Sequence, residues 1–342
     1  MWWESLPRTR VFSNVDRETF LNQIVATNQP AIIKGLLSEW PLMQIATESP
    51  RQLCAELARL AGNETTDAWF GAPEMNGRFF YSDDIQGRNF EKKSLPLPQV
   101  FEKILATHDQ QEAHHIFAGG INLDKHIPSL AKELRLPIIE GVDYKLTSLW
   151  IGNRTRTAAH WDLPQNLACV LSGRRRFITF PVEQLKNMYF GPIDNTLAGQ
   201  SISLVDFHHP DFDKFPLFKQ AMAHAEIAEL EPGDVFYMPS LRIHHVESLD
   251  SFGAMINFWW RTQEGGYLPT PLLTLCHALM TIKSIPEYER KAWREIFDYY
   301  AFDHKLINED HIPEAARGIL GKLTPDVQQR INNIMRNSFK NG

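Results

Sequence analysis

Several features that mark other protein classes are scarce or missing in this chain of 342 residues. It has only three cysteines, Cys54, Cys169 and Cys276, and they lack the CxxC spacing of a zinc or redox site. We therefore expect buried thiols in a reducing compartment and no disulfide framework. No apolar run reaches the roughly 18 residues of a membrane span, and the residues after Met1 lack the basic-then-apolar pattern of a signal peptide. These absences predict a soluble, cytoplasmic protein without membrane contact.

Positive charge is also in short supply. The 35 lysines and arginines are outnumbered by 41 aspartates and glutamates, which gives a formal net charge of −6. Non-specific binding to nucleic acid depends on cations that neutralise phosphates, so we expect none here. Apolar residues are plentiful by contrast, at 43% of the chain. That content predicts a large core in one big domain with a smaller appendage.

A dense β pattern occupies the middle of the chain. Short segments rich in β-branched and aromatic residues recur there, with turns at Gly173, Gly233 and Gly253. The predicted strands are 144–152, 158–162, 166–171, 175–180, 225–230, 234–238, 244–248 and 254–260. This spacing indicates an antiparallel sandwich or barrel. Residues 183–223 lack clean periodicity, so we interpret them as an insertion between two strands.

Helical patterns flank the β region on both sides. The predicted helices are 14–28, 50–61, 98–107, 272–283, 287–301 and 324–337. We therefore divide the chain into a domain at 1–265 and a C-terminal helical region at 266–342. Within the domain, the barrel core is expected at about 144–262, preceded by flanking elements at 1–143. The last helix carries an apolar stripe that includes Val327, Ile331, Ile334 and Met335.

Two short motifs carry the candidate chemistry. His160-Trp161-Asp162 and the pair His244-His245 offer two imidazoles and a carboxylate, which is the ligand set that holds non-heme Fe(II) on one face. On a strand, residues i and i+2 share a face, so His160 and Asp162 are predicted to point the same way. A second HxD, His209-Pro210-Asp211, has proline at its centre and is interpreted as a loop. From the residues alone, either histidine of the later pair can complete the set.

In their order along the chain, these motifs resemble the JmjC group of cupin-like Fe(II)/2-oxoglutarate oxygenases. The likeness is strongest to the asparaginyl hydroxylases of the kind that inhibits hypoxia-inducible factor. The matching residues are Leu146-Thr147-Ser148, Ala159-His160-Trp161-Asp162, Gln165-Asn166, Gly173 with the basic run after it, Phe180-Pro181, Asp211-Phe212, Phe215-Pro216, Pro232-Gly233-Asp234-Val235, Tyr237-Met238-Pro239, His244-His245-Val246-Glu247-Ser248-Leu249 and Asn257-Phe258-Trp259. Near the N-terminus, residues 30–35 and Trp40-Pro41 resemble the entry motif of the same group.

The resemblance implies a mostly β fold with flanking helices: a double-stranded β-helix, or jelly roll, followed by C-terminal helices. It implies Fe(II) as cofactor, with 2-oxoglutarate and O2 as cosubstrates that yield succinate and CO2 while a substrate is hydroxylated. It also implies that His160, Asp162 and His244 are the metal ligands. His245 is then a packed histidine on the other face of its strand.

The resemblance further implies a site for 2-oxoglutarate. Arg175 stands where the hydroxylase has a lysine for the distal carboxylate, and an arginine fork suits a carboxylate at least as well. Alternation along a strand places Arg175 with Phe177 and Thr179, opposite Arg174 and Arg176. Three polar residues match others that line the same pocket: Thr157, Asn166 and Asn257. For the tyrosine that often completes it, the candidates are His115 and Phe117.

The chain departs from the group beside the metal. Arg242-Ile243 stands where aromatic residues are usual, so the substrate pocket is expected to differ. We predict that Trp161 and Arg242 contact substrate at a pocket mouth that also includes Trp260. The alternative for Arg242 is an ordinary salt bridge.

Several functions fit these motifs. The predicted substrate is a protein side chain, a small molecule or an RNA base. A second candidate is N-methyl-lysine demethylation of the JmjC type, and a third is a non-catalytic, cupin-like protein that binds a metal or a small acid. Since proteins of the resembled group often dimerise through C-terminal helices, we also expect a homodimer.

Overall fold

A computed structural model describes residues 1–108, 110, 113–142, 145–261, 271–303 and 309–340, and its strands form two sheets. The strands are β1 (Arg10–Ser13), β2 (Ala31–Lys34), β3 (Thr65–Gly71), β4 (Arg78–Phe79), β5 (Phe90–Pro96), β6 (His115–Asn122), β7 (Leu146–Gly152), β8 (Arg156–His160), β9 (Gln165–Ser172), β10 (Arg175–Phe180), β11 (Glu226–Leu230), β12 (Val235–Met238), β13 (Ile243–Ser248) and β14 (Gly253–Trp260).

The larger sheet has the order β1-β2-β12-β9-β14-β7-β6-β3-β5, and the smaller sheet has the order β11-β10-β13-β8-β4. From β7 to β14 the strands are shared between the sheets, with β7, β9, β12 and β14 in the larger and β8, β10, β11 and β13 in the smaller. All the pairings among these eight strands are antiparallel. This is the winding of a double-stranded β-helix, so the predicted fold is confirmed.

Alternation along the strands separates the inside of the barrel from its two outer faces. Inside, Phe177 of the smaller sheet meets Phe236 of the larger one, with 4.7 Å between ring centroids. Buried side chains around them form the inner cluster, whose members are Ile32, Ala168, Val170, Phe177, Ala228, Leu230, Phe236, Met238, Val246 and Met255. Each large apolar side chain buried in this way stabilises the fold by roughly 1.5–3 kcal/mol.

Of the helices in the described residues, the second to the sixth in chain order cover the outer face of the larger sheet. The helices are α1 (Arg17–Thr19), α2 (Pro41–Glu48), α3 (Pro50–Leu60), α4 (Leu97–Thr107), α5 (Leu123–His126), α6 (Pro128–Glu133), α7 (Phe218–Met222), α8 (Pro271–Thr281), α9 (Glu287–Phe297) and α10 (Pro325–Lys340). Leu167, Cys169 and Leu171 of β9 point outwards and share one buried cluster with apolar residues of α2 to α6. Cys54 and Cys169 are buried as expected, whereas Cys276 is only half-buried.

A different covering packs on the outer face of the smaller sheet. The segment between β10 and β11, which we call the insertion, includes α7 and buries Val205, Phe207 and Phe218 against that face. The first residues of the chain join it, since Trp3 is only 2% exposed within the same cluster. The insertion thus closes the back of the sheet whose inner face carries His244.

The chain divides into two compact units, Met1–Thr262 and Gln263–Gly342. The predicted boundary at 265/266, the predicted barrel end at 262 and the predicted strand start at Tyr144 lie outside the described residues. The second unit contains α8, α9 and α10, and none of its described residues is buried. In the described part of the chain, no helix is both long enough and apolar enough to span a membrane.

Candidate metal centre

The two strands that carry the candidate histidines are neighbours in the smaller sheet. His160 is the last residue of β8, and His244 is the second residue of β13. The antiparallel register places them directly opposite each other, so their side chains emerge on the same face. Their ring centroids are 4.2 Å apart. Sheet pairing therefore brings together two residues that are 84 positions apart in the sequence.

Asp162 completes the group, though in a different way from the one predicted. It lies two residues beyond the end of β8, so the prediction that strand alternation alone aligns it with His160 is wrong. Its backbone oxygen accepts a hydrogen bond from the Leu241 N–H at 2.8 Å, which ties the loop to the turn before β13. Carboxylate oxygen Oδ2 then lies 3.8 Å from His160 Nε2 and 3.6 Å from His244 Nε2.

Backbone contacts select the tautomer of both imidazoles. His160 Nδ1 lies 2.9 Å from the carbonyl oxygen of Ala158, and His244 Nδ1 lies 2.9 Å from that of Arg242. A carbonyl oxygen can only accept, so each Nδ1 carries the proton and each Nε2 presents a lone pair. Two nitrogen lone pairs and one carboxylate oxygen therefore converge on a common point. This is the arrangement by which proteins orient histidine ligands for a metal ion.

Burial disfavours charge on this group when no cation is present. Desolvation raises the pKa of Asp162, although the neighbouring His160 opposes this shift. Desolvation also lowers the pKa of His244, and the nearby His160 lowers it further. A divalent cation between the three atoms would favour an ionised carboxylate and neutral imidazoles, which is the protonation state that metal ligands need. Among the described residues, these three form the group of histidine, cysteine and acidic side chains that can hold a metal ion.

The other histidines near these motifs have different partners. His245 points to the outer face, where its Nε2 lies 3.0 Å from Glu247 Oε1 and its ring stacks on Phe207. In the second HxD, His209 is 84% exposed. Asp211 there accepts hydrogen bonds from two backbone N–H groups of the turn that follows it, at 3.0 Å each. That motif is a loop, as predicted.

A second polar region lies deeper in the barrel, around Arg175. Its alternation is confirmed, because Arg175 is buried inside the barrel while Arg176 pairs outside with Glu247 and Glu229. Burial lowers the pKa of Arg175 to about 10, so it stays a cation at neutral pH. Its Nε has no hydrogen-bond partner, and no carboxylate of the described residues forms an ion pair with it. A buried cation without a counter-charge is costly, so this position suits an anionic ligand.

Other buried polar atoms on the inner wall also lack partners. The Oγ of Ser248, the Oδ1 of Asn257 and the Nε1 of Trp259 accept or donate no hydrogen bond. Ser248 is directly opposite Arg175 in the register, and Asn257 donates to Asn166 at 2.8 Å. Unpartnered buried groups are rare in folded proteins. Together with Arg175, they face the inside of the barrel from both sheets, which suits a polar ligand.

Thr157 reaches the same wall because β8 contains a bulge. His160 is opposite His244, but Thr157 is opposite Val246, so three residues of β8 span two of β13. Simple alternation would place Thr157 and His160 on opposite faces. The extra residue puts both on the inner face, as bulges beside active sites often do.

Comparison with known proteins agrees with this architecture. Residues 17–266 match the family described as the cupin-like domain, which covers β2 to β14 and all three metal-site residues. The chain belongs to the cupin-like domain family. Its resemblance to JmjC proteins is therefore confirmed at the level of the family, while the particular likeness to the asparaginyl hydroxylase stays a prediction.

Curated relatives of this cupin-like chain have several different names. It is 25% identical over 321 residues to tRNA wybutosine-synthesizing protein 5 of Gallus gallus, a match that covers 84% of this chain and 90% of that protein. It is also 25% identical over 285 residues to JmjC domain-containing protein F of Dictyostelium discoideum, with 70% of this chain and 59% of that protein covered. Lysine-specific demethylase 8 of Xenopus tropicalis is 25% identical over 250 residues, and the match spans 71% of this chain but half of the demethylase.

The predicted substrate contacts of this cupin-like domain have distinct surroundings. Arg242 donates to Glu226 at 3.1 Å and to Thr179 at 3.3 Å, so it takes part in the salt bridge that was its alternative. Trp161 packs half-buried on the cluster behind the smaller sheet. Whether either residue touches substrate stays a prediction.

The structure decides the expectation about Trp260, whereas the residue that replaces the missing tyrosine stays a prediction. Trp260 does not line the pocket mouth, because it is buried on the outer face of the larger sheet against Phe20 and Tyr237. Strand alternation puts its neighbour Trp259 on the inner side instead, where it contacts Trp150. Of the two candidates for the missing tyrosine, Phe117 lies beside Trp150, whereas His115 contacts the Arg154 carbonyl.

Sequence patterns missed three residues near the site: Gln200, Glu226 and Ser248. Gln200 comes from the insertion, where no periodicity marks it, and its side chain donates to Asp162. Glu226 and Ser248 face inwards through strand register, which depends on pairing across the sheet. Alternation along β13 would have predicted that Ser248, four residues after His244, faces the same side as that histidine.

Proposed function

We propose that this protein is an Fe(II)- and 2-oxoglutarate-dependent oxygenase that hydroxylates its substrate. The observation that carries the proposal is the convergence of three ligand atoms. Asp162 Oδ2 lies 3.8 Å from His160 Nε2 and 3.6 Å from His244 Nε2. Two imidazoles and one carboxylate hold Fe(II) on one face and leave the other face open. When bound there, the metal activates O2 while 2-oxoglutarate is oxidised to succinate and CO2.

The inner wall supports the 2-oxoglutarate part of the proposal. Arg175 supplies an unpartnered cation for the distal carboxylate, and the bidentate fork of arginine matches that group. Along β10, Arg175 is four residues from Thr179, the residue opposite His244, a separation of about 13 Å. Ser248 and Thr157 of the same sheet, and Asn257 of the larger sheet, add polar atoms to the inside of the barrel. The extended arginine side chain and a short diacid would together span the separation along β10.

Demethylation of N-methyl-lysine is the second candidate, because relatives named lysine-specific demethylases match about 70% or more of this chain. The inner wall favours it less. A substrate cation is best held by a free carboxylate, and Glu226, on the inner face beside the metal site, is already paired with Arg242. A relative that matches over nearly its whole length is named for tRNA wybutosine synthesis, so an RNA base is among the substrates to test.

The test is succinate release from 2-oxoglutarate in the presence of Fe(II) and O2. Asparagine-containing peptides, N-methyl-lysine peptides and tRNA would be supplied in turn as substrates. We expect His160→Ala and Asp162→Ala to abolish turnover, while His209→Ala and Asp211→Ala retain it. Comparable turnover in the first pair would refute the metal assignment. Stoichiometric metal binding without any succinate from the wild type would instead support the non-catalytic alternative.

A further inference from the structure

Gln200 contacts the candidate metal site from outside the barrel strands. Its side-chain Nε2 donates a hydrogen bond to Asp162 Oδ1 at 3.0 Å. The other carboxylate oxygen, Oδ2, is the atom that lies near both histidines. The two oxygens of one buried carboxylate therefore have different partners, one an amide of the insertion and the other the histidine pair.

The backbone on either side of Gln200 is firmly held. Ser201 Oγ donates to the Gly191 carbonyl at 2.8 Å, and the Gly191 N–H donates to the Ile202 carbonyl at 2.9 Å. The Ser203 N–H donates to the Ala159 carbonyl at 2.7 Å, which anchors the segment beside β8 next to His160. Ile202 is buried in a small cluster with Ala158. These contacts fix where the Gln200 amide can reach.

We infer that Gln200 is a positioning residue that makes Asp162 a ligand through one oxygen only. The inference rests on the metal site proposed above. Because Oδ1 is engaged by the amide, Oδ2 is left to face the histidines and the metal. A carboxylate that coordinated through both oxygens would fill one more position on the ion. Single-oxygen binding keeps that position for 2-oxoglutarate or O2.

The chemistry of an amide suits this role better than that of a cation. Glutamine donates a hydrogen bond without adding charge, so Asp162 keeps its full negative charge for a metal ion. A lysine or arginine in the same place would compete with the metal for that charge. Hydrogen-bond partners of metal ligands typically change metal affinity by about 10–100-fold when removed.

The test is a titration of the metal-free protein with Co(II), followed by the visible absorption bands of the bound ion. Gln200→Met keeps much of the side-chain length but loses the donor, and we expect it to weaken Co(II) binding roughly tenfold or more and to shift the bands. Gln200→Asn is a second variant whose amide falls one methylene short, and it should behave in the same direction. Gln220→Met, on an exposed position of α7, is the matched control and should leave both readouts unchanged.

The outcomes separate this inference from the proposal on which it rests. Wild-type affinity and unchanged bands in both Gln200 variants, with folding confirmed by circular dichroism, would overturn the positioning role alone. Failure of the wild-type protein to bind Co(II) would overturn the metal site itself. If only the stability towards urea changed, Gln200 would merely fasten the insertion to the barrel, and the inference would be wrong.

Discussion

At the scale of single residues, the three consecutive arginines at the start of β10 differ in their partners. Arg176 on the outer face has Glu247 at 3.1 Å and Glu229 at 2.9 Å. Arg174, in the turn directly before β10, is bound to Asp250 at 2.7 Å. Arg175, inside the barrel, is the member of the run whose Nε is buried without a partner. The binding of an anionic ligand explains the burial of Arg175 more readily than a contribution to stability does.

We expect Arg175→Ala to raise the apparent KM for 2-oxoglutarate roughly tenfold or more. A hydrogen bond between charged groups contributes about 1.5–3 kcal/mol, and each 1.4 kcal/mol is a factor of about ten in affinity. Arg175→Lys should recover part of the loss, because it keeps the charge but not the fork. The measurement is a 2-oxoglutarate titration of succinate release. Arg174→Ala is the control, and a large effect there with none at Arg175 would contradict the assignment.

Ser248→Ala should also raise the apparent KM for 2-oxoglutarate, by roughly tenfold or more, because a hydrogen bond to a charged carboxylate contributes about 1.5–3 kcal/mol. The Ser248 hydroxyl is buried, unpartnered and opposite Arg175. Removing it leaves no protein group unsatisfied, so the unfolding free energy should hardly change. The same titration, together with urea denaturation, checks both expectations. A loss of stability without a change in KM would count against a ligand role.

The stability of the protein should depend on pH through Glu247. Burial by itself raises the pKa of this carboxyl, but the hydrogen bonds from His208 and His245 outweigh it, so the pKa lies well below its ordinary value of 4.5. The unfolded chain therefore takes up this proton at a higher pH than the folded chain. The contribution to stability is complete above about pH 4.5 and declines as the pH falls further.

In Glu247→Gln, the fall in unfolding free energy between about pH 6 and pH 3.5 should be smaller than in the wild type, since the titrating group is gone. Urea denaturation at several pH values gives both slopes. Glu91→Gln is the control, because Glu91 is exposed and its ion pair with Lys93 lies at the surface. Equal slopes in the wild type and Glu247→Gln would contradict the expected role.

At the scale of elements, local patterns were enough for most of the barrel. Periodicity and glycine turns predicted all eight strands from β7 to β14 to within a few residues. What they missed depends on tertiary contacts. β5 is a mostly exposed edge strand, so apolar and polar residues alternate little along it. Helix α2 begins at Pro41, within the Trp40-Pro41 motif. The placement of Asp162 and Thr157 depends on a loop and a bulge that only pairing with β13 produces.

The turn from β9 to β10 should tolerate substitution less well than the turn from β11 to β12. Gly173 has φ +70°, and an added Cβ would lie 2.1 Å from the Phe252 carbonyl oxygen. Gly233 has φ +96°, but an added Cβ would meet nothing within 4 Å. Gly233→Ala therefore adds only backbone strain of about 1–2 kcal/mol. Gly173→Ala adds the same strain and a backbone collision, so it should lower the unfolding free energy by clearly more.

Urea denaturation of the two alanine variants measures this difference directly. Gly233→Ala serves as the matched control, since it makes the same chemical change at another turn that connects the two sheets, also with positive φ. Equal losses in both variants would show that the Phe252 carbonyl moves aside at little cost.

At the scale of the whole molecule, the two compact units differ in how they bury apolar residues. The first unit contains the metal site and several buried clusters. In the second unit, no described residue is buried, although many are large and apolar. Leu273 is 62% exposed, Met280 75%, Tyr288 71% and Phe302 73%. Soluble monomers rarely leave so much apolar surface uncovered, so a partner surface is expected.

A second copy of the chain is the partner we expect, through the apolar stripe of α10. Val327 and Ile331 are half-buried and Met335 is 47% exposed, all on one side of the helix. Light scattering should give a mass twice that of the 39.4 kDa chain for the full-length protein. A protein truncated after Asn308 should give the mass of one truncated chain.

The double variant Ile331→Glu with Met335→Glu should also dissociate, because two carboxylates cannot be desolvated cheaply in an apolar interface. Gln329→Glu with Asn333→Glu adds the same charge on the opposite side of α10 and should remain dimeric. A single-chain mass for the full-length protein would rule out the dimer, and dissociation by both double variants would show that added charge acts without regard to the stripe.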